Sequence, residues 1–223
     1  MILYYRYYSK LRRVKKSMAN IADSYDNMVN NPQNDELGLF SNYNDILEET
    51  RRRIISHNCK CILDIGCGTG NLCGKLSDRY NVIGMDKNIE MLKKVQEKYG
   101  NMKCKVGSFL DEPFKENIAD IVVSTYVLHG LNNEDKKIAV KNMIRYLKEN
   151  GKIIIIDYMF FDSEEKEKYR QHFKELNKQD LWDFIDSKYY TNINEFKEYI
   201  AKLNYNIKIE HKVNFTWLVE ITR

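Results

Sequence analysis

The chain has 223 residues, of which 43% are hydrophobic and 12% aromatic, enough for one α/β domain with a buried core. Only two prolines and ten glycines occur, which excludes collagen-like and low-complexity classes. The net charge is +4, and no run of about 18 apolar residues occurs, so no membrane-spanning helix is expected.

The basic residues are concentrated at the start of the chain. Residues 1–17 hold six bases and no acid, whereas the remaining 206 residues hold 30 bases and 32 acids. We therefore expect a basic N-terminal extension at 1–17 and a single domain at 18–223, whose charge makes a nucleic-acid partner unlikely. We interpret the extension as a solvated leader; the alternative is an arm that touches RNA or a membrane surface.

The cysteines indicate a compartment rather than a metal site. Five cysteines without a secretory signal favour a reducing environment, so a cytoplasmic protein is expected. Cys59, Cys61, Cys67 and Cys73 are separated by gaps of one, five and five residues, which do not match the spacing of zinc ligands. No metal site is predicted.

From the start of the domain, hydrophobic periodicity predicts helices first and then alternating strands and helices. Residues 19–58 are helical with a polar loop at 30–34, and residues 61–65 form a buried strand. Further strands are predicted at 82–86, 102–106, 119–124 and 152–157, and helices from 72, at 91–99 and at 138–147. This alternation predicts a doubly wound, mostly parallel α/β sheet.

The last third of the chain has a different composition. Residues 159–190 are polar, helical and rich in large aromatic rings, so we predict a lid or substrate insert; ordinary helix packing is the alternative. A helix follows around Phe196 and Ile200. Residues 207–213 and 215–221 alternate strictly between apolar and polar, which predicts an antiparallel hairpin at the edge of the sheet.

The strongest local motif is a strand that ends in three glycines spaced every second residue. Gly66, Gly68 and Gly70 follow Asp64, and Asp86 ends the next strand 20 residues after Gly66. Glycines let a ligand lie directly on the backbone, and a carboxylate at the end of the second strand can accept both hydroxyls of a ribose. The dinucleotide pattern G-x-G-x-x-G fails, because its sixth position is Asn71.

This motif resembles the glycine-rich motif of class I S-adenosylmethionine-dependent methyltransferases. The resemblance covers residues 19–223 and is closest to the small YrrT-type methyltransferases, through segments 21–29, 127–131 and 189–193. It implies a Rossmann-like, seven-stranded sheet with an antiparallel C-terminal hairpin. It also implies S-adenosyl-L-methionine as the cofactor.

The resemblance further implies roles for individual residues. The glycine loop would line the methionine part of the cofactor, Asp86 would hold the ribose, and Met91 and the 107–109 segment would contact the adenine. The cofactor-binding residues implied in this way are Tyr25, Tyr43, Gly66, Cys67, Gly68, Gly70, Asn71, Asp86, Lys87, Met91, Gly107, Ser108, Phe109 and Ser124. The family usually has Asp where Ser108 stands. Tyr25 and Tyr43 would cap the carboxylate end of the cofactor, or they are core rings.

Two residues after the fourth strand are candidates for the chemistry. His129 lies five residues after Ser124, and its imidazole could remove a proton from an acceptor. Tyr126 is a candidate wall residue or hydrogen-bond donor. For both residues, a purely structural role is the alternative.

These observations favour methyl transfer from S-adenosylmethionine to a small-molecule acceptor. Ser124-Thr125-Tyr126-Val127 stands where base-amino methyltransferases carry Asp/Asn-Pro-Pro-Tyr, which weakens a nucleic-acid reading. The alternatives are an RNA methyltransferase that uses the basic arm and a non-catalytic protein that binds the cofactor or its demethylated product. The acceptor and the oligomeric state are not readable from the sequence.

Overall fold

The computed structural model describes residues 18–31 and 35–223. The predicted basic extension at 1–17 therefore lies outside the described residues, as does part of the polar loop at 30–34. No helix in the described ranges is long and apolar enough to cross a membrane.

Seven α-helices and eight strands are described. The helices are α1 Met18–Asn30, α2 Tyr43–Ile55, α3 Ile89–Lys98, α4 Asn133–Tyr146, α5 Ser163–Glu175, α6 Gln179–Asp186 and α7 Ile193–Lys202. The strands are β1 Cys61–Ile65, β2 Asn81–Asp86, β3 Lys103–Val106, β4 Ala119–Thr125, β5 Leu147–Phe160, β6 Thr191–Asn192, β7 Asn206–Val213 and β8 Thr216–Thr222.

The strands form one mixed sheet in the order β3-β2-β1-β4-β5-β8-β7. The first five are parallel, whereas β8 runs antiparallel to β5 and β7 antiparallel to β8. The predicted Rossmann-like α/β fold with a C-terminal hairpin is confirmed. The sequence did not reveal β6, a two-residue strand that pairs with the end of β5.

The sheet carries a hydrophobic core on each face. Ile62 and Val123 face one core, whereas Leu63 and Val122 face the other, and all four are fully buried. Alternate residues of a strand point to opposite faces, so these central strands are apolar on both sides. That is why they appear in the sequence as continuous hydrophobic runs.

The connection after β1 differs from the expectation. The sequence predicts a helix beginning at Leu72, but the structure has turns and a short 3₁₀ helix at Gly74–Leu76. Glycine is a poor helix former, and a Cβ at Gly74 would lie 2.2 Å from the Tyr99 ring. The tight packing of this segment against α3 therefore replaces the predicted helix.

The aromatic rings of the insert pack together against the end of β5. Phe160 lies 5.9 Å from Tyr169 and 5.5 Å from Tyr190, measured between ring centroids. Tyr169 in turn lies 4.6 Å from Phe215. The insert thus extends one of the two cores beyond the carboxyl ends of the strands, where it borders the candidate site.

Candidate active site

The glycine loop leaves β1 at the point where the strand order reverses. Gly66, Gly68 and Gly70 all have positive φ, at 75°, 54° and 78°. L-residues rarely adopt these angles, which explains the residue type at all three positions. A Cβ at Gly66 would lie 2.8 Å from the Val127 side chain, so the turn is also sterically closed to larger residues.

Asp86 ties the loop to the end of β2. Its Oδ2 accepts from the Gly68 amide at 3.0 Å, and its Oδ1 accepts from the Asn88 amide at 2.8 Å. Burial raises the pKa of Asp86, while these two amides favour its charged form. A carboxylate has about four acceptor positions, so further hydrogen bonds from two adjacent hydroxyls remain possible.

Asp64 lies beneath the loop on β1 and is 1% exposed. Neither of its carboxylate oxygens makes a hydrogen bond of ordinary geometry within the described residues. Burial raises its pKa to about 7, and the nearby amide and thiol of Cys73 offset this effect only in part. Asp64 is therefore a second acid at the loop, in an apolar environment.

The predicted adenine contacts lie on α3 and in the segment after β3. Met91 is fully buried and packs with Ala22 of α1, and Phe109 is buried in the same core as Met85. The hydroxyl of Ser108 donates to Asp111 at 2.9 Å, so Asp111 is an acid close to the place where the family usually has one. Lys87 is exposed.

A crevice at the loop brings six predicted residues together. They are Tyr25, Tyr43, Gly66, Cys67, Gly68 and Asn71. Thr125, the last residue of β4, and Val127, two residues beyond it, also line the crevice. The remaining predicted cofactor residues, among them Asp86, Met91 and Ser124, lie outside this crevice lining. Open α/β sheets bind ligands at such a switch point, between the ends of β1 and β4.

Asp26 of helix α1 forms hydrogen bonds that hold this helix over the crevice. Asp26 accepts from Thr69 at 2.5 Å, from Asn71 at 2.9 Å and from Lys98 at 2.6 Å. Partial burial alone would raise the pKa of Asp26, but these hydrogen bonds hold it below its ordinary value. Asp26 lies within the quoted segment 21–29, yet no local pattern connects it with Lys98, 72 residues away.

Tyr126 is held in a strained conformation next to the crevice. Its φ is 57°, an angle that is costly for a bulky side chain. Its ring stacks on Tyr43 at 5.6 Å and contacts Tyr158 at 5.2 Å. Burial raises the pKa of Tyr126, so its hydroxyl remains protonated over the physiological range. Backbone strain of this kind is concentrated at functional sites, which supports the selection of Tyr126.

His129 lies just beyond, in a short 3₁₀ turn at Leu128–Gly130. Its Nδ1 is 2.5 Å from Oδ1 of Asp157 on β5, and both side chains are buried. Tyr158 and Tyr190 pack around the imidazole, with centroid distances of 5.0 and 6.0 Å. No local sequence pattern connects these three partners with His129, because they come from β5 and from the segment before β6.

The residues present fit S-adenosylmethionine, the cofactor that the resemblance implies. The three glycines leave the backbone of the loop without Cβ atoms, and Asp86 supplies a buried carboxylate of the kind that a ribose requires. Met91 and Phe109, the predicted adenine neighbours, are apolar and buried. The residues that could hold the cofactor therefore lie in the loop and near the ends of β2 and β3.

Comparison with known proteins leads to the same family. Residues 62–151 match a family described as a methyltransferase domain. An uncharacterized methyltransferase of Staphylococcus carnosus is 30% identical over 206 residues, covering 91% of this chain and 95% of that protein.

Solved structures share the fold. A putative S-adenosyl-L-methionine-dependent methyltransferase from Methanococcus maripaludis has a TM-score of 0.61 at 18% identity, covering 94% of this chain and 95% of that one. Magnesium protoporphyrin IX methyltransferase from Synechocystis, solved with bound SAH, has a TM-score of 0.64 at 14% identity, covering 83% and 85%. With the curated relatives, these findings show that the chain belongs to the class I S-adenosylmethionine-dependent methyltransferases.

Proposed function

We propose that this enzyme transfers a methyl group from S-adenosyl-L-methionine to a small molecule. One observation carries the proposal: the Gly68 amide and the Asp86 carboxylate meet at 3.0 Å beside a crevice that also reaches the end of β4. This arrangement supports cofactor binding on one side and an acceptor on the other. Residues 18–223 would act as one domain.

The cofactor would be held mainly by the backbone of the glycine loop. Gly66, Gly68 and Gly70, with Cys67 and Asn71, would face its methionine part. Asp86 would accept from both ribose hydroxyls, with Lys87 beside it.

The remaining contacts would come from side chains around the loop. Met91, Phe109 and the Gly107-Ser108 backbone would enclose the adenine. Ser124 would contribute from the end of β4, and Tyr25 and Tyr43 would cap the carboxylate end.

The bound sulfonium supplies an electrophilic methyl group, so the chain's task is to align the acceptor and exclude water. The buried rings of Tyr43 and Tyr126 stack at 5.6 Å, which supports a dry wall on the acceptor side. His129 would take a proton where the acceptor arrives protonated. We assign His129 and Tyr126 to the acceptor side on this basis.

A small acceptor is favoured over RNA by the surroundings of the crevice. Tyr25, Tyr43 and Val127 border it, and Lys98, a base close to its mouth, is paired with Asp26. Binding of a nucleic acid requires several Lys or Arg side chains that are free to contact its phosphates. All five cysteines are free thiols, which supports a reducing compartment, and we propose the cytoplasm.

Calorimetry with S-adenosylhomocysteine and with NAD tests the cofactor assignment. We expect binding of S-adenosylhomocysteine and none of NAD; the reverse result would refute the proposal.

A labelled methyl donor, incubated with the full chain and either a small-metabolite extract or total RNA, tests the acceptor. Label in small molecules supports the proposal. Label in RNA that disappears when residues 1–17 are deleted would replace it with the RNA alternative. Binding of S-adenosylhomocysteine without transfer to either fraction would leave a non-catalytic binding protein.

A further inference from the structure

A buried histidine–aspartate pair stands where β4 and β5 end. Oδ1 of Asp157 is 2.5 Å from Nδ1 of His129, and Oδ2 accepts from the His129 main-chain amide at 2.9 Å. The Tyr158 amide donates to Oδ1 at 2.7 Å. Exposure is 3% for His129 and 1% for Asp157. Two main-chain amides thus fix the carboxylate, and the carboxylate fixes the ring.

This geometry selects one tautomer of the imidazole. A carboxylate only accepts hydrogen bonds, so Nδ1 of His129 must be the donor at the contact with Asp157. In the neutral ring the proton then sits on Nδ1, and Nε2 is the basic nitrogen. A buried, hydrogen-bonded partner that orients a base is the arrangement general-base catalysis requires.

We propose that Asp157 is a positioning residue for His129 and that the acceptor carries a neutral aromatic hydroxyl, whose proton His129 removes through Nε2. This inference rests on the proposed methyl transfer. It adds to it the class of acceptor and a residue that acts through His129 without touching the substrate.

The surroundings of the pair favour an uncharged acceptor. Among the described residues, the rings of Tyr158 and Tyr190 pack against His129, and Lys136 of α4 interacts with Asp157. Burial lowers the pKa of Lys136 to about 8, and its ammonium donates to the Tyr189 carbonyl. Burying a further charge in such a low-dielectric environment is costly, so an ionised acceptor is disfavoured.

The hydrogen bonds around the pair distinguish a hydroxyl from an amine. An ammonium group donates up to three hydrogen bonds, whereas Asp157 already accepts three, from His129 and Tyr158, of the about four that a carboxylate can take. The Tyr190 hydroxyl, in contrast, is buried without a hydrogen-bond partner in the described part of the chain. A phenol matches this set: its ring packs on rings, and its hydroxyl bonds to a hydroxyl.

The step is balanced within these groups. Nε2 of His129 takes the acceptor proton, and an electron pair of the acceptor oxygen forms the new O–C bond to the methyl carbon. The S–C bond breaks, and its electron pair stays on sulfur as the thioether of S-adenosylhomocysteine. The imidazolium then returns its proton to water.

Nitrogen-15 NMR of the full chain with S-adenosylhomocysteine tests the pair without any acceptor. With labelled histidine at pH 8, we expect Nδ1 of His129 to be protonated and Nε2 to be bare, the signal being assigned by its absence in His129→Asn. Asp157→Asn should abolish this preference for one tautomer. A proton on Nε2 and none on Nδ1 in the wild-type chain would overturn the inference.

A panel of catechol, benzylamine and benzoate with a labelled methyl donor tests the acceptor class. We expect transfer to catechol, reduced about 100-fold in His129→Asn and about 10-fold in Asp157→Asn, with unchanged KM. Raising the pH should restore part of the Asp157→Asn rate, because catechol then ionises by itself. A merely structural role of Asp157 predicts no such rescue.

Other outcomes overturn the inference. They are an unchanged rate in His129→Asn, transfer only to benzylamine or benzoate, or transfer to none of the three. Calorimetry with S-adenosylhomocysteine distinguishes failure of this inference from failure of the proposed function. Retained binding without transfer to catechol refutes only the inference, whereas loss of binding in the wild-type chain refutes the proposed function.

Discussion

The two sides of the crevice are built in different ways. On the proposed cofactor side, a loop and one carboxylate from a stretch of 21 residues, Gly66 to Asp86, supply the main features. On the proposed acceptor side, just beyond the crevice lining, Tyr126, His129, Asp157 and Tyr190 come from three separate segments. The difference shows that a site made of backbone is local in sequence, whereas a site made of side chains depends on how strands pair.

The pairing of β4 with β5 assembles the acceptor side. Thr125 lies opposite Ile156 in the parallel ladder, and the Tyr126 amide continues it by donating to the Ile156 carbonyl at 2.7 Å. This register places the residues after β4 next to Asp157. Changes on the cofactor side should therefore alter cofactor affinity, whereas changes on the acceptor side should alter turnover.

Gly66→Val should have the largest effect and tests the backbone side most directly. The new side chain would meet Val127 at 2.8 Å and force an unfavourable φ, so we expect at least a 100-fold loss of S-adenosylhomocysteine affinity by calorimetry. Gly100→Ala is the matched control, because a Cβ there meets nothing within 4 Å. Normal affinity in Gly66→Val would contradict the loop assignment.

Asp86→Ala should weaken S-adenosylhomocysteine binding by about 10- to 100-fold, through loss of charge-assisted hydrogen bonds. Because Asp86 also accepts from Gly68, part of the loss would come from a less ordered loop. Exposed Glu116→Ala serves as the control. Unchanged affinity of Asp86→Ala for S-adenosylhomocysteine would mean that other residues hold the ribose, and it would contradict the assignment of Asp86 to the cofactor side.

Asp64→Asn should change the pH dependence of stability. The pKa of Asp64 is about 7 in the folded chain and near 3.8 when unfolded, so the native state binds more protons between those values. Stability of the cofactor-free chain should therefore fall as the pH rises from about 4 to 7, by on the order of 4 kcal/mol. Asp64→Asn should remove that fall, as measured by urea unfolding at several pH values.

The control for this prediction is Asp78→Asn, which changes an exposed acid close in sequence. It should leave the pH dependence as it is in the wild-type chain. The same slope in Asp64→Asn and the wild type would mean that Asp64 is not the group responsible.

Asp26→Asn should have the smallest effect and tests the fastening of α1. The weaker contact with Lys98 should increase amide hydrogen exchange in α1 and raise the dissociation rate of S-adenosylhomocysteine several-fold. Asp23→Asn is the comparison, because Asp23 is exposed in its pair with Lys94 and such pairs contribute little. If Asp23→Asn and Asp26→Asn changed amide exchange and the dissociation rate equally, Asp26 would not be the main residue that holds α1 in place.

The glycine loop and Asp86 could be located from the sequence because their signals are local, and their contacts with the cofactor stay a prediction. Three glycines with positive φ and an acid one strand later can be recognised from spacing alone, since the turn admits few other residues. The crevice joins Tyr25 and Tyr43 to the loop, while their contact with the cofactor stays a prediction. The hydroxyl of Ser108, in contrast, is engaged by Asp111, a local hydrogen bond that spacing did not indicate.

The sequence by itself determined the family, the loop at the end of β1 and the order of the main strands and helices, because these follow from hydrophobic periodicity and steric limits within short segments. It did not determine β6 or the 3₁₀ helix at Gly74–Leu76. Only the tertiary structure decided which side chains meet across that order. Asp157 reaches His129, and Asp26 reaches Lys98, over 28 and 72 residues respectively. Contacts over such separations depend on strand register and helix packing, which are properties of the folded chain as a whole.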